Sequence, residues 1–567
     1  MLKNLLNGQS KTITAAAVVI ATASLASRFL GVIRERIINS VFTPSQLDCY
    51  YAAFQIPNFV YNLLILGTLS AAFIPIFTEY LTKKKEKETS QNLNYIPSDS
   101  EPWQITNSVL NLTILIMGLL SFLGFIFTPK LIDFIALGFS PEKKKVTIEL
   151  ARLLMLSPFI FSLSSIFSSV LNATKRFFLV SLAPVLYNLG IIFGAIVLSK
   201  KFGLKGLVYG VIIGAILHLS CQLPLIFKIG YRYRFSLNLS HPAIRKIGKL
   251  FLPRIFGIDT SQVALLVGSI IGSTLAFGSI TILNQVNNLA SLVVGVVGIS
   301  YAMAAFPSLS LLASGADKDS FIKHFSQTFR QILFFVIPST VILYFLRAQI
   351  IRLVLGTQLF NWYNTRLAAA CLGLLALSLF SQSLVPLIAR AFYAKQDTIR
   401  PVLISFATIF INIIFSVLFV RWLEAGFLKD FLGFVLRIGD IMDIRVIGLA
   451  LAFSLASILN FLFLIYLLWR KLGRLDGRKI YSSISKIFLA SAAMAAVIQL
   501  MKHLANYLFS VNTFGGVFLQ FSLASILGVA VFAYAALWLK SEEMINFYQT
   551  LSRKLPWRKI ETIEIGK

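Results

Sequence analysis

The chain is 567 residues long, 57% hydrophobic and only 13% charged, with a formal net charge of +29. A mean hydropathy of +0.80 excludes an ordinary soluble domain and points to a polytopic membrane protein, whose unit is a span of roughly 20 apolar residues. The positive charge does not argue for nucleic acid, because Lys and Arg fall in short clusters between apolar runs and form no basic stripe interleaved with aromatics.

Fourteen spans are predicted, near 13–39, 49–80, 104–128, 147–171, 178–199, 204–227, 247–275, 279–312, 331–349, 366–392, 401–420, 446–469, 485–501 and 518–539. The N-terminal stretch has a basic start and an apolar run ending in small residues, like a secretory signal. It continues into "RFLGVIRERI" with no polar domain behind it, so it reads as an uncleaved first span. The segment 82–102 is too polar to be buried and reads as a long loop. The segment 421–445 mixes polar and apolar residues and reads as an interfacial helix. The side holding both termini carries about twice as many Lys and Arg as the other, which makes both termini cytoplasmic.

An internal repeat relates "LNATKRFFLVSLAPVLYNLGIIF" (171–193) to "AFYAKQDTIRPVLISFATIFINIIF" (391–415), and "AAFIPIF" (71–77) to "AAFPSL" (304–309). Both copies enter the membrane from the same side, six spans apart. The expected fold is therefore all-α, with two parallel-repeat six-helix lobes and two further C-terminal helices. Parallel repeats place a substrate cavity between the lobes and work by alternating access. The boundaries are an N-lobe at 1–230 (spans one to six) and the start of the C-lobe at 231–422 (spans seven to eleven). An interfacial segment at 423–445 follows, then span twelve at 446–475, then spans thirteen and fourteen with a cytoplasmic tail at 476–567.

Polar residues inside the spans are the candidate site. Arg28 and Arg34 lie within the first span, where a buried arginine costs roughly 3 kcal/mol on insertion scales. Six residues apart, they diverge by about 120° around the axis and share a broad wall, with Gly31 between them. One reading is a cationic site for an anionic headgroup, since guanidinium grips phosphate bidentately. The other has both snorkel to the interface or pair with Glu35 or Asp48. Asn58 and Asn62 share a face of the second span beside Pro57, and Asn284 and Asn288 share a face of the eighth. These amides suit either a sugar- or pyrophosphate-binding cavity or plain interhelical hydrogen bonding. Arg254 and Asp259 open the seventh span, as a gating or ion-coupling pair or as an interfacial salt bridge.

Cys49, Cys221 and Cys371 are isolated in apolar runs and the four histidines are scattered, so no metal site is expected. No phosphate-binding G-x-x-x-x-G-K-[ST] loop occurs, and no triad or carboxylate pair sits in a plausible site. An ATP-driven pump or a membrane hydrolase is not expected. The reading is a non-enzyme without cofactor, and coupling to Na+, H+ or the membrane potential stays open.

On "SRFLGVIRERI" with Asp48 following, "AFQIPNF", "AAFIPIFTEY", "LNATKRF", "AAFPSLS" and "AFYAKQDTIRPV", residues 20–470 resemble the MurJ/MviN family, the lipid II flippases of the multidrug/oligosaccharidyl-lipid/polysaccharide exporter superfamily. The resemblance implies a bacterial cytoplasmic-membrane protein that flips undecaprenyl-pyrophosphate-linked peptidoglycan precursor outward. Its last two spans would form a groove for the lipid tail. The lipid-linked precursor, membrane lipids and cell-wall synthesis proteins are its implied partners. It implies substrate-binding roles for Arg28, Arg34 and Asp48. The family's second-span arginine falls at Tyr61 and its eighth-span arginine at Asn288, so two pyrophosphate-binding cations are replaced. Arg254 is the candidate to compensate. Export of another polyprenyl-linked oligosaccharide and a non-transporting cell-wall scaffold are the competing readings.

Overall fold

The computed structural model describes residues 13–64, 68–87, 95–255, 260–315, 317–509 and 513–554, and among them the regular secondary structure is helical. Helical runs succeed one another in the order the sequence predicts. Ten helices among the described residues are long and apolar enough to cross a membrane. Trp362–Ala376 and Leu379–Ala394 meet at 42° and make an eleventh when taken as one span. The runs at the first, second and seventh positions are Ile13–Val41, Pro44–Leu64 with Thr68–Lys87, and Pro242–Ile255 with Thr260–Gly272. Each contains or adjoins residues outside the described set, so the expected fourteen stands as an approximate count. Helices are the natural solution here, because each satisfies its own backbone where lipid offers no hydrogen bond.

The mixed segment after the eleventh span is helical only over Phe427–Leu436, which exposes Phe427, Phe431 and Phe434. Ion pairs hold the rest. Arg366 binds the Asp440 carboxylate at 2.5 Å, and Arg445 binds Asp443 at 2.8 Å and Glu424 at 3.1 Å. The hydrogen bond from Arg366 keeps the Asp440 carboxyl below the usual carboxylate range. Arg36 closes a helix end, donating to the Leu353 carbonyl at 2.6 Å and lying 4.5 Å over the Phe514 ring. Three free cysteines occupy buried or half-buried positions.

Buried apolar side chains form three groups. One, around Phe73, Phe77, Trp103 and Tyr231, joins the first lobe to the start of the seventh run at Ala243, Ile244 and Ile247. A second, around Ile38, Leu47, Leu150 and Val208, takes in Ile280 from the eighth span. The third runs from Leu275 to Ala536 and holds the C-terminal half together. Two spans of the first half touch backbone to backbone. Gly190 and Gly194 of the fifth face Gly210 and Gly214 of the sixth, and a Cβ on Gly210 would fall 2.6 Å from the Gly194 Cα. Without a hydrophobic drive between helices in lipid, such small-residue contacts supply the dispersion energy that pairs them.

The eighth span begins after a turn at Gly278, whose φ of 92° favours glycine. Its first stretch, Ser279–Val293, carries the asparagines, and a π-helical segment, Val294–Ile299, follows. π-bulges unwind the ladder by one residue and recur at functional sites. This one brings Gly295 against the first span and Gly298 against the tenth.

Candidate functional site

A cavity of about 400 Å³ lies between the two halves of the chain. From the N-terminal half it takes Arg34, Tyr50, Tyr51, Phe54, Gln55, Asn58 and Tyr187. From the C-terminal half it takes Gln262, Asn284, Asn287, Asn288, Gly295 and Gln382. A second cavity of about 340 Å³ shares Ser261, Val294, Ile299 and Gln382 with it and adds Arg390, Asn412 and Asn460. A third, of about 240 Å³, shares Phe54, Asn58 and Tyr187 and reaches into the N-terminal half.

The two first-span arginines diverge, as their spacing requires. Arg34 turns toward the N-terminal half, where Nη1 donates to Asn188 Oδ1 at 3.0 Å and Nη2 pairs with Glu35 at 2.5 Å. Of the two alternatives read from the sequence, pairing with Glu35 therefore holds for Arg34, which nonetheless lines the cavity. Arg28 turns toward the C-terminal half, where a Cβ on Gly295 would lie 2.8 Å from its Nη2. It makes no hydrogen bond or ion pair among the described residues.

Glu35 is buried and shared. Tyr51 donates to it at 2.8 Å and Gln285 Nε2 at 3.4 Å, and Gln285 also donates to Asn39 at 3.1 Å. Gln55 donates to Ser269 at 2.9 Å and to Asn284 Oδ1 at 3.4 Å. These bonds tie the first and second spans to the seventh and eighth across the cavity wall. A buried polar network of this kind favours one arrangement of the two halves, because each broken bond leaves a desolvated group unpaired.

Asn58, Asn284 and Asn288 line the central cavity, and Asn58, Asn287 and Asn288 present side chains with no hydrogen bond among the described residues. Asn62 lines none of the three cavities. Asp48 is also apart from them. It is 3% exposed, and its carboxylate accepts from the backbone N–H of Gly278 at 2.6 Å and of Thr281 at 2.9 Å, and from the Thr281 hydroxyl at 2.9 Å. These bonds cap the eighth span, whose first N–H groups have no partner of their own. The Arg254 side chain and Asp259 lie outside the described residues.

Several site residues escaped the sequence reading: Tyr50, Tyr51, Gln55, Tyr187, Asn188, Gln285, Gln382 and Arg390. The repeat held a usable signal. Each copy carries an asparagine within three residues of its Ile-Ile-Phe: Asn188 binds Arg34, and Asn412 lines the second cavity.

Two packed helical halves around a polar, arginine-bearing chamber define a multi-pass membrane transporter. A solved inward-facing multidrug-resistance MATE transporter of the MOP superfamily superposes with a TM-score of 0.57 over 81% of this chain and 99% of its own, at 15% identity, which speaks to the fold alone. The family model described as "Lipid II flippase MurJ" matches residues 38–519, and the chain belongs to that family. A probable lipid II flippase MurJ from Buchnera aphidicola subsp. Acyrthosiphon pisum is 28% identical over 501 residues, covering 87% of this chain and 91% of the relative. A solved lipid II flippase MurJ in an inward closed conformation superposes with a TM-score of 0.69, 26% identical, over 94% of this chain and all of that one.

Proposed function

We infer that this chain is a multi-pass transporter that carries lipid II, the polyprenyl-pyrophosphate-linked peptidoglycan precursor, across the bacterial cytoplasmic membrane. The observation that carries the reading is the chamber itself, in a chain that belongs to the MurJ family from residue 38 to 519. The unpaired Arg28 guanidinium beside Gly295 suits a phosphate, which it can grip with two parallel N–H bonds. Arg34 is neutralised in place by Glu35, so it shapes the wall and offers its remaining surface. The free amides of Asn58, Asn287 and Asn288 suit the hydroxyl and amide groups of a glycopeptide.

In this reading the lobes are 1–230 and 231–475, both termini are cytoplasmic, and the lobes rock about the chamber to expose it to each side in turn. The Gln285–Glu35 and Gln55–Asn284 bonds, which cross between the lobes, are then among the contacts that break and re-form. Lipid II and bilayer lipids are the partners that the activity requires. Complementation of a flippase-depleted bacterium tests it directly. Restored growth with wild-type protein, and none with an Arg28→Ala variant present in the membrane at equal level, is expected. Failure of the wild type to complement overturns it.

A second reading is export of a different polyprenyl-linked oligosaccharide. Tyr61 and Asn288 favour it, because they stand where the resemblance placed arginines and leave fewer cations for a pyrophosphate. Complementation of a glycan-assembly mutant, without rescue of the flippase-depleted strain, would select it.

A further inference from the structure

We propose that the third cavity is a sugar-stacking subsite, in which the rings of Tyr61, Phe161 and Tyr187 receive the apolar face of a pyranose in the headgroup of the transported lipid. The proposal rests on the transport reading above and deepens it by naming what one part of the chamber holds.

The observation is an aromatic box with one polar edge. Tyr61 lies 5.6 Å from Phe161, tilted by 55°. Phe161 in turn meets Tyr187 edge-on at 5.0 Å and His218 edge-on at 5.3 Å. Pro57, Pro158 and Pro184 complete the wall. The edge shared with the central cavity carries Asn58 and Tyr187. The Tyr61 and Tyr187 hydroxyls and the Asn58 amide make no hydrogen bond among the described residues. His218 is held in place by Ser164, whose Oγ lies 2.7 Å from its Nδ1.

The chemistry selects among occupants. Among the described residues no Lys or Arg lines this cavity, so a phosphate there would be desolvated without a counter-charge, an expensive state. An isoprenoid tail has no use for the unpaired hydroxyls and the amide, and the cavity opens onto the polar chamber. A pyranose has both kinds of surface. Its axial C–H groups, slightly positive, sit well on the electron-rich faces of aromatic rings. Its rim of hydroxyls, with the N-acetyl group of an aminosugar, can bond Asn58 and the two phenols. Arg28 and the eighth-span amides then remain for the pyrophosphate and peptide portions. The position where the family resemblance placed an arginine is thus turned, at Tyr61, from gripping phosphate to stacking sugar.

The test compares two lipids on the full chain in nanodiscs: undecaprenyl pyrophosphate carrying the N-acetylated disaccharide, and sugar-free undecaprenyl pyrophosphate. The wild type should bind the sugar-bearing lipid about tenfold more tightly. Phe161→Leu and Tyr61→Leu should abolish that preference, with the loss confined to the sugar-bearing lipid, while Tyr61→Phe, which keeps the ring, retains most of it. Arg28→Ala should weaken both lipids. Equal affinity of the wild type for the two lipids overturns the subsite and leaves the transport reading intact. So does a preference that survives both leucine variants, or an equal loss for both lipids in them. A wild type that binds neither lipid overturns the transport reading and the subsite with it.

Discussion

Asp48, in the second span, caps the eighth span through Thr281, accepting from both its backbone N–H and its hydroxyl at 2.9 Å. The Gly278 N–H completes the cap at 2.6 Å. A helix start normally draws its cap from its own chain, within a few residues. Here the cap comes from the opposite half of the molecule, so it fixes the second span to the eighth at one edge of the chamber. We expect Asp48→Ala to lower stability by about 2–3 kcal/mol, the worth of a lost cap with charge-assisted bonds. Asp48→Asn should recover part of it. Thermal unfolding in detergent measures this. The folded fraction should bind lipid II with affinity within about threefold of wild type. A normal unfolding midpoint with lost binding would return Asp48 to the substrate site.

Arg28 and Arg34 should separate under mutation because, among the described residues, only Arg34 is paired. Arg34→Gln leaves the buried Glu35 without its cation, and breaking such a pair costs about 3 kcal/mol or more. The double variant Arg34→Gln, Glu35→Gln should regain much of that stability. Arg28→Gln removes no internal bond and should unfold within about 0.5 kcal/mol of wild type. Its binding of sugar-free undecaprenyl pyrophosphate should still fall about tenfold or more, the loss of a charge-assisted contact. Calorimetry and lipid titration on the same preparations decide it. Destabilisation by Arg28→Gln, or none by Arg34→Gln, contradicts the assignment.

What was legible in the sequence was what each residue carries by itself. Apolar runs report spans locally, so helix order and approximate limits came through. Amides in lipid are costly wherever they sit, so Asn58, Asn284 and Asn288 stood out and do line the chamber. Asn62 shares their chemistry but lies a turn away, and spacing alone does not set which turn faces the cavity. Pairings across hundreds of residues were not legible: nothing near Asp48 announces Gly278, and nothing near Arg34 announces Asn188. Tyr50, Tyr61 and Tyr187 look like ordinary apolar filling until the fold sets them on the walls of the central and third cavities.

The glycine contact between the fifth and sixth spans should tolerate no side chain. A Cβ on Gly210 meets the Gly194 Cα at 2.6 Å, and one on Gly190 meets the Gly214 Cα at 2.4 Å. Backbone cannot give way as a flexible side chain can. Gly210→Ala should therefore destabilise by about 1–3 kcal/mol, and Gly210→Leu by more. Gly248, in the helix Pro242–Ile255, has nothing within 4 Å of its Cβ position. Gly248→Ala should be neutral or stabilising, by up to about 1 kcal/mol of helix propensity. Unfolding midpoints of the two alanine variants give the comparison. Equal midpoints would mean the two spans part easily and the close approach contributes little.

The tail helix Glu542–Lys554 should leave the bundle on acidification. Arg330 of the ninth span holds it, with Nη1 2.8 Å from Glu542 and 2.6 Å from the buried Glu543, while Phe547 packs edge-on against Phe335 at 5.5 Å. The hydrogen bond from Arg330 keeps the Glu542 carboxyl below the usual glutamate range. A carboxyl depressed in the docked state binds its proton more readily once released. Its contribution to docking is therefore complete above the ordinary glutamate value of about 4.3 and is lost as pH falls through the depressed one. Glu542 is largely exposed, so solvent screens its pair with Arg330 and the buried Glu543 contact carries more of the attachment. Hydrogen exchange over the tail helix should show protection at pH 7 that declines below about pH 4. Arg330→Gln should remove most of that protection already at neutral pH. Glu542→Gln should remove a smaller share and flatten the acid dependence that remains. Protection unchanged in Arg330→Gln would show that the apolar contact at Phe547 docks the tail by itself.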